Sequence, residues 1–413
     1  MDVPGFARLL KQQNMDSEVW WDSAPTAYTS FKHTLIKKYP DTFDYIEQLL
    51  PDDFASSPSG ISGATTNPRL VAQEIARDPQ HWRDFIGELR ADVTDPDQAD
   101  SARAGRLYDQ VIEEGARLLR PLWVSSRGAQ GWVSAQVDGG ERMNAEMLIA
   151  RGRHLARLAP NVMVKIPGSE QGYRAIEALI AQGCSVNNTF CFTVSQVHAC
   201  LKAIHRGRLS ARLKGVNTDR ARYVISFMIG RLGAEAEFER QAQQRGIRLR
   251  ADDRRWAELA VYQAIQALLQ RRPSPARLLL CSLNVHTRVR GREECWHLQR
   301  TGADTTLYTL TPAIIEFLVR CQQQGRPVLP ATEGVKVPRQ VMNRLMGIAY
   351  FNQAYFLEGQ APSAFASHPA FVTASANARE GHEQLLAFVT AGAMPASGFS
   401  SRAASRPVME SLS

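Results

Sequence analysis

Val162-Met163-Val164-Lys165-Ile166-Pro167 is a run of β-branched and apolar residues broken by one lysine and ended by a proline. Apolar residues on both faces mark a strand buried inside a parallel sheet. The period then changes. Tyr173 to Gln182 reads as a helix closed by Gly183, Ser185 to Phe190 as the next strand, and Ser195 to His205 as the helix after it.

The same alternation continues in both directions. Upstream, Trp132 to Val137 reads as a strand and Ala145 to Arg157 as a helix. Downstream, the strand Tyr223 to Ile229 leads to helices between Glu235 and Leu269. Leu278 to Leu283 precedes a helix over Glu293 to Arg300, and Thr305 to Leu310 precedes one over Pro312 to Gln324. With Ser17 to Asp22 and the segment near Ala64, about eight strands are each followed by helix, which predicts a (β/α)8 TIM barrel. An open doubly wound sheet is the alternative, but no glycine-rich phosphate turn supports it. Residues 1–18 are polar and form an expected peripheral extension to a barrel over 19–325. An insertion at 23–60 carries helices at Thr26 to Lys38 and Thr42 to Leu50 and a loop at Asp52 and Asp53. Helices at Arg339 to Phe356 and Ala374 to Val389 fall within a C-terminal unit, 326–391, expected to pack on the barrel. The Ala/Ser/Pro-rich tail, 392–413, is expected to be disordered.

The bulk numbers narrow the function. The 413 residues are 44% hydrophobic and 22% charged, enough for a full core. No apolar run is long enough to span a membrane, and the start lacks the basic and apolar regions of a signal peptide. The 6 cysteines show no C-x-x-C and no metal spacing, which predicts reduced thiols in a cytoplasmic protein without a metal. His33, His154, His198, His205 and His286 also lack ligand spacing. Net charge is +8, but the basic residues are interleaved with acids, so no nucleic-acid stripe emerges. Anionic small substrates fit the charge.

Chemistry is expected where a barrel strand ends at its carboxyl edge. The polar residues there are Asp22, Thr65, Asn67, Gln136, Asp138, Lys165, Asn187, Thr189, Ser226, Arg231 and Asn284. Threonine and asparagine at such positions also serve as helix caps, and a strand-end lysine can simply hold its head in water. In an apolar strand, however, desolvation disfavours the ammonium and leaves a free amine, the nucleophile that Schiff-base chemistry requires.

Four motifs resemble those of transaldolases, in the same order: Gly63-Ala64-Thr65-Thr66-Asn67-Pro68, Val164-Lys165-Ile166-Pro167 followed by Gly172, Asn187-x-Thr189, and Ile225-Ser226-x-x-x-Gly230-Arg231. The resemblance runs from about Val19 to Gln324. It implies a class I aldolase barrel that needs no cofactor and acts on a sugar or sugar phosphate, and a homodimer is compatible with it. Lys165 then matches the Schiff-base lysine, and Asp22 the aspartate that handles protons on substrate hydroxyls. Thr65, Asn67 and Asn187 match the residues that hold the donor's hydroxyls, Thr189 the one that positions a catalytic water, and Ser226 and Arg231 the phosphate pair.

The chain departs from the family pattern at several places. Gln136 stands where transaldolases carry glutamate, as in the fructose-6-phosphate aldolase branch. Met228 replaces an aromatic residue, and Asn284, in Cys281-Ser282-Leu283-Asn284, replaces a second phosphate arginine, with Arg288, Arg290 and Arg292 close behind. Arg69 follows Pro68 where a small residue is typical. The expected activity is transfer of a dihydroxyacetone-type three-carbon unit between a ketose and an aldehyde. The alternatives are a simple aldolase, a specialised carbon–carbon lyase or transferase, and a non-catalytic barrel that binds sugar phosphates.

Overall fold

The computed structural model describes residues 4–55, 59–89, 96–137, 144–287 and 291–390. Asp138, Arg288, Arg290 and the tail 392–413 lie outside the described residues. The strands are β1 (Glu18–Asp22), β2 (Ile61–Thr65), β3 (Trp132–Gln136), β4 (Val162–Pro167), β5 (Val186–Cys191), β6 (Tyr223–Phe227), β7 (Ala276–Leu280), β8 (His286–Thr287), β9 (Glu293–Glu294) and β10 (Leu307–Leu310). β1 to β7 and β10 close into a barrel, with β10 between β7 and β1 and every pairing parallel. Helices lie between successive barrel strands except between β7 and β10, where the described residues form the β8–β9 pair and turns; the architecture is the expected (β/α)8 barrel with additional helices before and after it. Among the described residues, no helix is long and apolar enough to cross a membrane.

The barrel interior is filled in layers. Trp20, Trp132, Met163, Val224, Leu279 and Leu307 form an apolar cluster inside it. Gly63 makes room for the Trp20 indole, because a Cβ there would sit 2.6 Å from the ring. Below this plug the buried Glu18 carboxylate accepts from Trp20 Nε1 at 2.8 Å and pairs with Arg222. Side chains alternate along a strand. Two residues further along these same strands come Asp22, Ser134, Lys165, Ser226, Cys281 and Thr309. Cys281 apart, the second layer is thus polar where the first is apolar.

Short polar residues start the helices that follow the strands. Asn67, Asn144, Ser169, Thr193 and Thr311 each accept a backbone N–H from the helix they precede. Thr193 and Gln196 form a reciprocal capping box.

In the N-terminal extension, the helix Phe6–Gln13 buries Phe6, Ala7 and Leu10, and Phe6 meets Tyr308 edge-on at 6.1 Å. Several segments differ from the sequence expectation. Glu293 to Arg300 is not a helix. Glu293 and Glu294 pair antiparallel with His286 and Thr287, and Cys295, Trp296, His297 and Leu298 are then buried consecutively, which a single helix face cannot do. Arg339 to Phe356 is two helices, Arg339–Leu345 and Ala349–Tyr355. The chain breaks at Gly347, where a Cβ would lie 2.6 Å from Ile247. The last helix, Pro369–Thr390, packs through Gly381 on the backbone of Arg69, where a Cβ would approach the amide nitrogen to 2.3 Å. Phe371 of that helix meets Phe190 of β5 edge-on at 5.5 Å.

Candidate active site

Lys165 sits on β4 with only 7% of its surface exposed. Register places Gln136 of β3 on one side of it and Asn187 of β5 on the other. The three long polar side chains thus share one level of the lumen.

Asn187 is fully buried and held from both ends. Its amide donates to Ser134 Oγ at 2.9 Å, and its Oδ1 accepts from Ser226 Oγ at 2.8 Å. With the amide in this orientation a second N–H is left for a ligand. Across the barrel, Asp22 is half-buried, and both its oxygens are engaged. Oδ1 accepts from Thr65 Oγ1 at 2.8 Å and Oδ2 from Thr309 Oγ1 at 3.1 Å. A carboxylate accepting two hydroxyls has a fixed plane and keeps lone pairs for a third donor.

Gln136 is 2% exposed, and its Nε2 has no hydrogen-bond partner among the described residues. A buried amide donor without a partner costs about 1–3 kcal/mol. Here it lies in register with Lys165, where a bound oxygen atom would satisfy it. Thr189 is buried on β5 opposite Pro167, one step beyond the Lys165 level. Phe190, next to it, adopts a φ of 51°, a left-handed conformation unusual for an aromatic residue, as β5 ends.

Nearer the rim, the short helix Ile229–Leu232 follows β6 and carries the half-buried Arg231, which has no side-chain partner among the described residues. Met228 precedes that helix, its N–H bonded to Cys191 O at 3.0 Å. Asn284 is exposed and donates to Ser282 O at 3.3 Å. It lies against Gly230, where a Cβ would come within 2.0 Å of Ser282 O and 3.2 Å of Asn284 Nδ2. Gly230 is therefore what lets the β7 loop pass beside the Arg231 helix. Asn67 is the N-cap of Pro68–Ile75, its Oδ1 accepting Leu70 N–H at 3.1 Å, and its NH2 is left for a ligand.

Three lumen residues escaped the sequence reading as site members. Ser134 and Thr309 anchor Asn187 and Asp22. Cys281 lies within the electrostatic reach of Lys165, Asp22 and Arg231. Burial pushes its thiol up to about 12, with Asp22 adding to the rise and Lys165 and Arg231 opposing it. A thiol held protonated is an apolar wall of the lumen rather than a nucleophile. The available signal was the period of two, which leads from Gln136 back to Ser134 and from Leu307 on to Thr309.

Fold and site together define a parallel (β/α)8 barrel whose mouth is built around one buried lysine. The Transaldolase/Fructose-6-phosphate aldolase family profile matches residues 42–344, and the chain belongs to that family. The matched range starts after β1, so Asp22 lies outside it. Among curated relatives, the transaldolase of Thiobacillus denitrificans is 31% identical over 182 residues, 44% of this chain and 49% of that protein. The transaldolase of Kocuria rhizophila is 29% identical over 179 residues, 43% and 47% of the two chains. That of Thermobifida fusca is 31% identical over 180 residues, again 43% and 47%. The chain thus spans about half the length of the curated relatives it matches.

Proposed function

We propose that this chain is a Schiff-base enzyme that moves a dihydroxyacetone-type three-carbon unit from a ketose phosphate to an aldehyde. The observation that carries the reading is the Lys165 amine in a closed lumen, level with two amides and facing a doubly held carboxylate. Lys165 Nζ attacks the ketose C2 carbonyl, and loss of water leaves a protonated imine. Asp22 takes the proton from the C4 hydroxyl as the C3–C4 bond breaks, and the bonding electrons flow into the imine to give an enamine. The first aldehyde leaves, and the enamine attacks a second with the steps reversed. The free N–H of Asn187 and the NH2 of Gln136 are assigned the donor's oxygens. Thr189 is assigned the water, and Ser226, Met228, Asn284, Thr65 and Asn67 the remaining wall of the donor site.

The test is an assay of fructose 6-phosphate with and without erythrose 4-phosphate. Transfer requires the acceptor for turnover. Release of free dihydroxyacetone at the same rate without it assigns simple aldolase chemistry, the reading that Gln136 favours. No turnover in either case, with the ketose still bound, supports the non-catalytic alternative.

Gln136 offers a finer check. An amide does not ionise near neutral pH, so it can orient a water but cannot carry a proton. Gln136→Glu is expected to add an acid limb to the pH profile and to increase acceptor transfer relative to release. Gln136→Ala is expected to slow both, by up to ~10²–10³-fold, the range for losing one positioned hydrogen-bond donor. A Gln136→Ala enzyme as fast as wild type would remove Gln136 from the site.

Arg231 is assigned the substrate phosphate, since a guanidinium presents a planar fork to a dianion. Arg231→Ala is expected to raise KM for fructose 6-phosphate by at least ~10-fold, the loss of one charge-assisted contact, and to leave KM for unphosphorylated fructose nearly unchanged. Equal losses on both donors would make Arg231 a structural residue.

A further inference from the structure

On the outer flank, the helix Val194–Leu213 and the segment 272–275 line a cavity of about 320 Å³, within the lower range of small-molecule sites. His198, Lys202, His205, Arg206, Arg208 and Arg272 line it, with no carboxylate among its lining residues. The helix itself contains no Asp or Glu over its whole length. None of the lining residues lies on a barrel strand, so the cavity is separate from the lumen around Lys165.

Much of this charge lacks compensation. Arg206 is paired, with Glu177 at 2.7 Å. Lys202 has no side-chain partner among the described residues. Arg272 Nη1 meets His198 Nε2 at 2.6 Å. Arginine only donates, so Nε2 must accept, and the His198 proton sits on Nδ1. Burial first, then Lys202 and Arg272, lower the pKa of His198, and Glu358 opposes them. In that tautomer the His198 Nδ1–H is a further donor beside these cations. Lys202, Arg272 and His198 together present donors and positive charge, while the only side-chain acceptors in the lining are the second histidine and Ser274, whose Oγ is taken by Ala276 N–H at 3.2 Å.

We propose that this cavity is a second anion site that binds a phosphate group, free or on a small molecule, independently of the barrel mouth. Donors without acceptors, a forked guanidinium and an ammonium suit a phosphate dianion better than a neutral ligand.

The experiment is isothermal titration calorimetry of the full chain at low salt with inorganic pyrophosphate, repeated with inorganic phosphate and with fructose 6-phosphate. The variants are Lys202→Gln/Arg272→Gln and, separately, Arg231→Ala. Lys202 and Arg272 are exposed, and unchanged thermal unfolding and aldol turnover verify that the double variant is intact. Pyrophosphate binding is expected to survive in Arg231→Ala and to weaken at least ~10-fold in the double variant, as two charge-assisted contacts are lost. If inorganic phosphate competes as well as fructose 6-phosphate in the Arg231→Ala protein, the site reads the phosphate alone; if the sugar phosphate competes far better, it reads the ester. Equal pyrophosphate affinity in wild type and double variant, or no binding to either, would overturn the proposal.

Discussion

Replacing Lys165 by methionine is expected to lower kcat/KM for ketose cleavage by on the order of 10⁶-fold, because without the nucleophile the reaction falls back toward its uncatalysed rate. Methionine keeps the unbranched shape and fills the same space. It also removes an amine that is 7% exposed in the lumen, and taking such a group out of the interior relieves a desolvation cost. Unfolding of the variant is therefore expected at the wild-type temperature or above, the usual exchange between stability and activity at a functional site. Circular dichroism and thermal melts check the fold while a coupled assay follows the aldehyde. Residual activity within about tenfold of wild type, only ~1.4 kcal/mol of barrier, would mean that another group is the nucleophile.

Asp22→Asn is expected to cost ~10²–10⁴-fold in kcat, the range for losing a general base, with a much smaller change in KM. Thr65 and Thr309 both donate to the Asp22 carboxylate. The asparagine oxygen can keep one of those bonds, but its NH2 cannot accept the other, so one hydroxyl must turn around. The proton of the substrate's C4 hydroxyl then has no acceptor while Lys165 remains able to form the imine. The variant should stall before cleavage, so reductive trapping is expected to capture the whole ketose phosphate. Capture of the three-carbon fragment at a wild-type rate would contradict this role for Asp22.

The strands were legible because parallel strands buried on both faces read as apolar runs, in which a single polar residue stands out. Lys165 in its valine and isoleucine run is the clearest case, and Asn187 and Gln136 follow from it by register. Ser134 and Thr309 were hidden by their size and type. A threonine two residues after Leu307 is an ordinary β-former, and its importance lies in a bond to Asp22, 287 residues away in sequence. The end of β7 was placed too far along because Leu278 to Leu283 stays largely apolar. Ser282, at a φ of 59°, takes the chain out of the strand, a turn that no glycine announces. The helix expected over Glu293 to Arg300 failed for a tertiary reason. Trp296 packs against Trp256 at 5.1 Å, and Arg300 covers its other side at 4.3 Å, so buried contacts rather than periodicity fix that segment.

The most direct test of the account is reduction with borohydride during turnover of fructose 6-phosphate, followed by intact mass and peptide mapping. A stable adduct carrying the reduced three-carbon unit is expected on the peptide that contains Lys165, and none on the Lys165→Met protein. No adduct on the wild type, or an adduct on a different lysine, would contradict a Schiff base at Lys165 and with it the proposed chemistry.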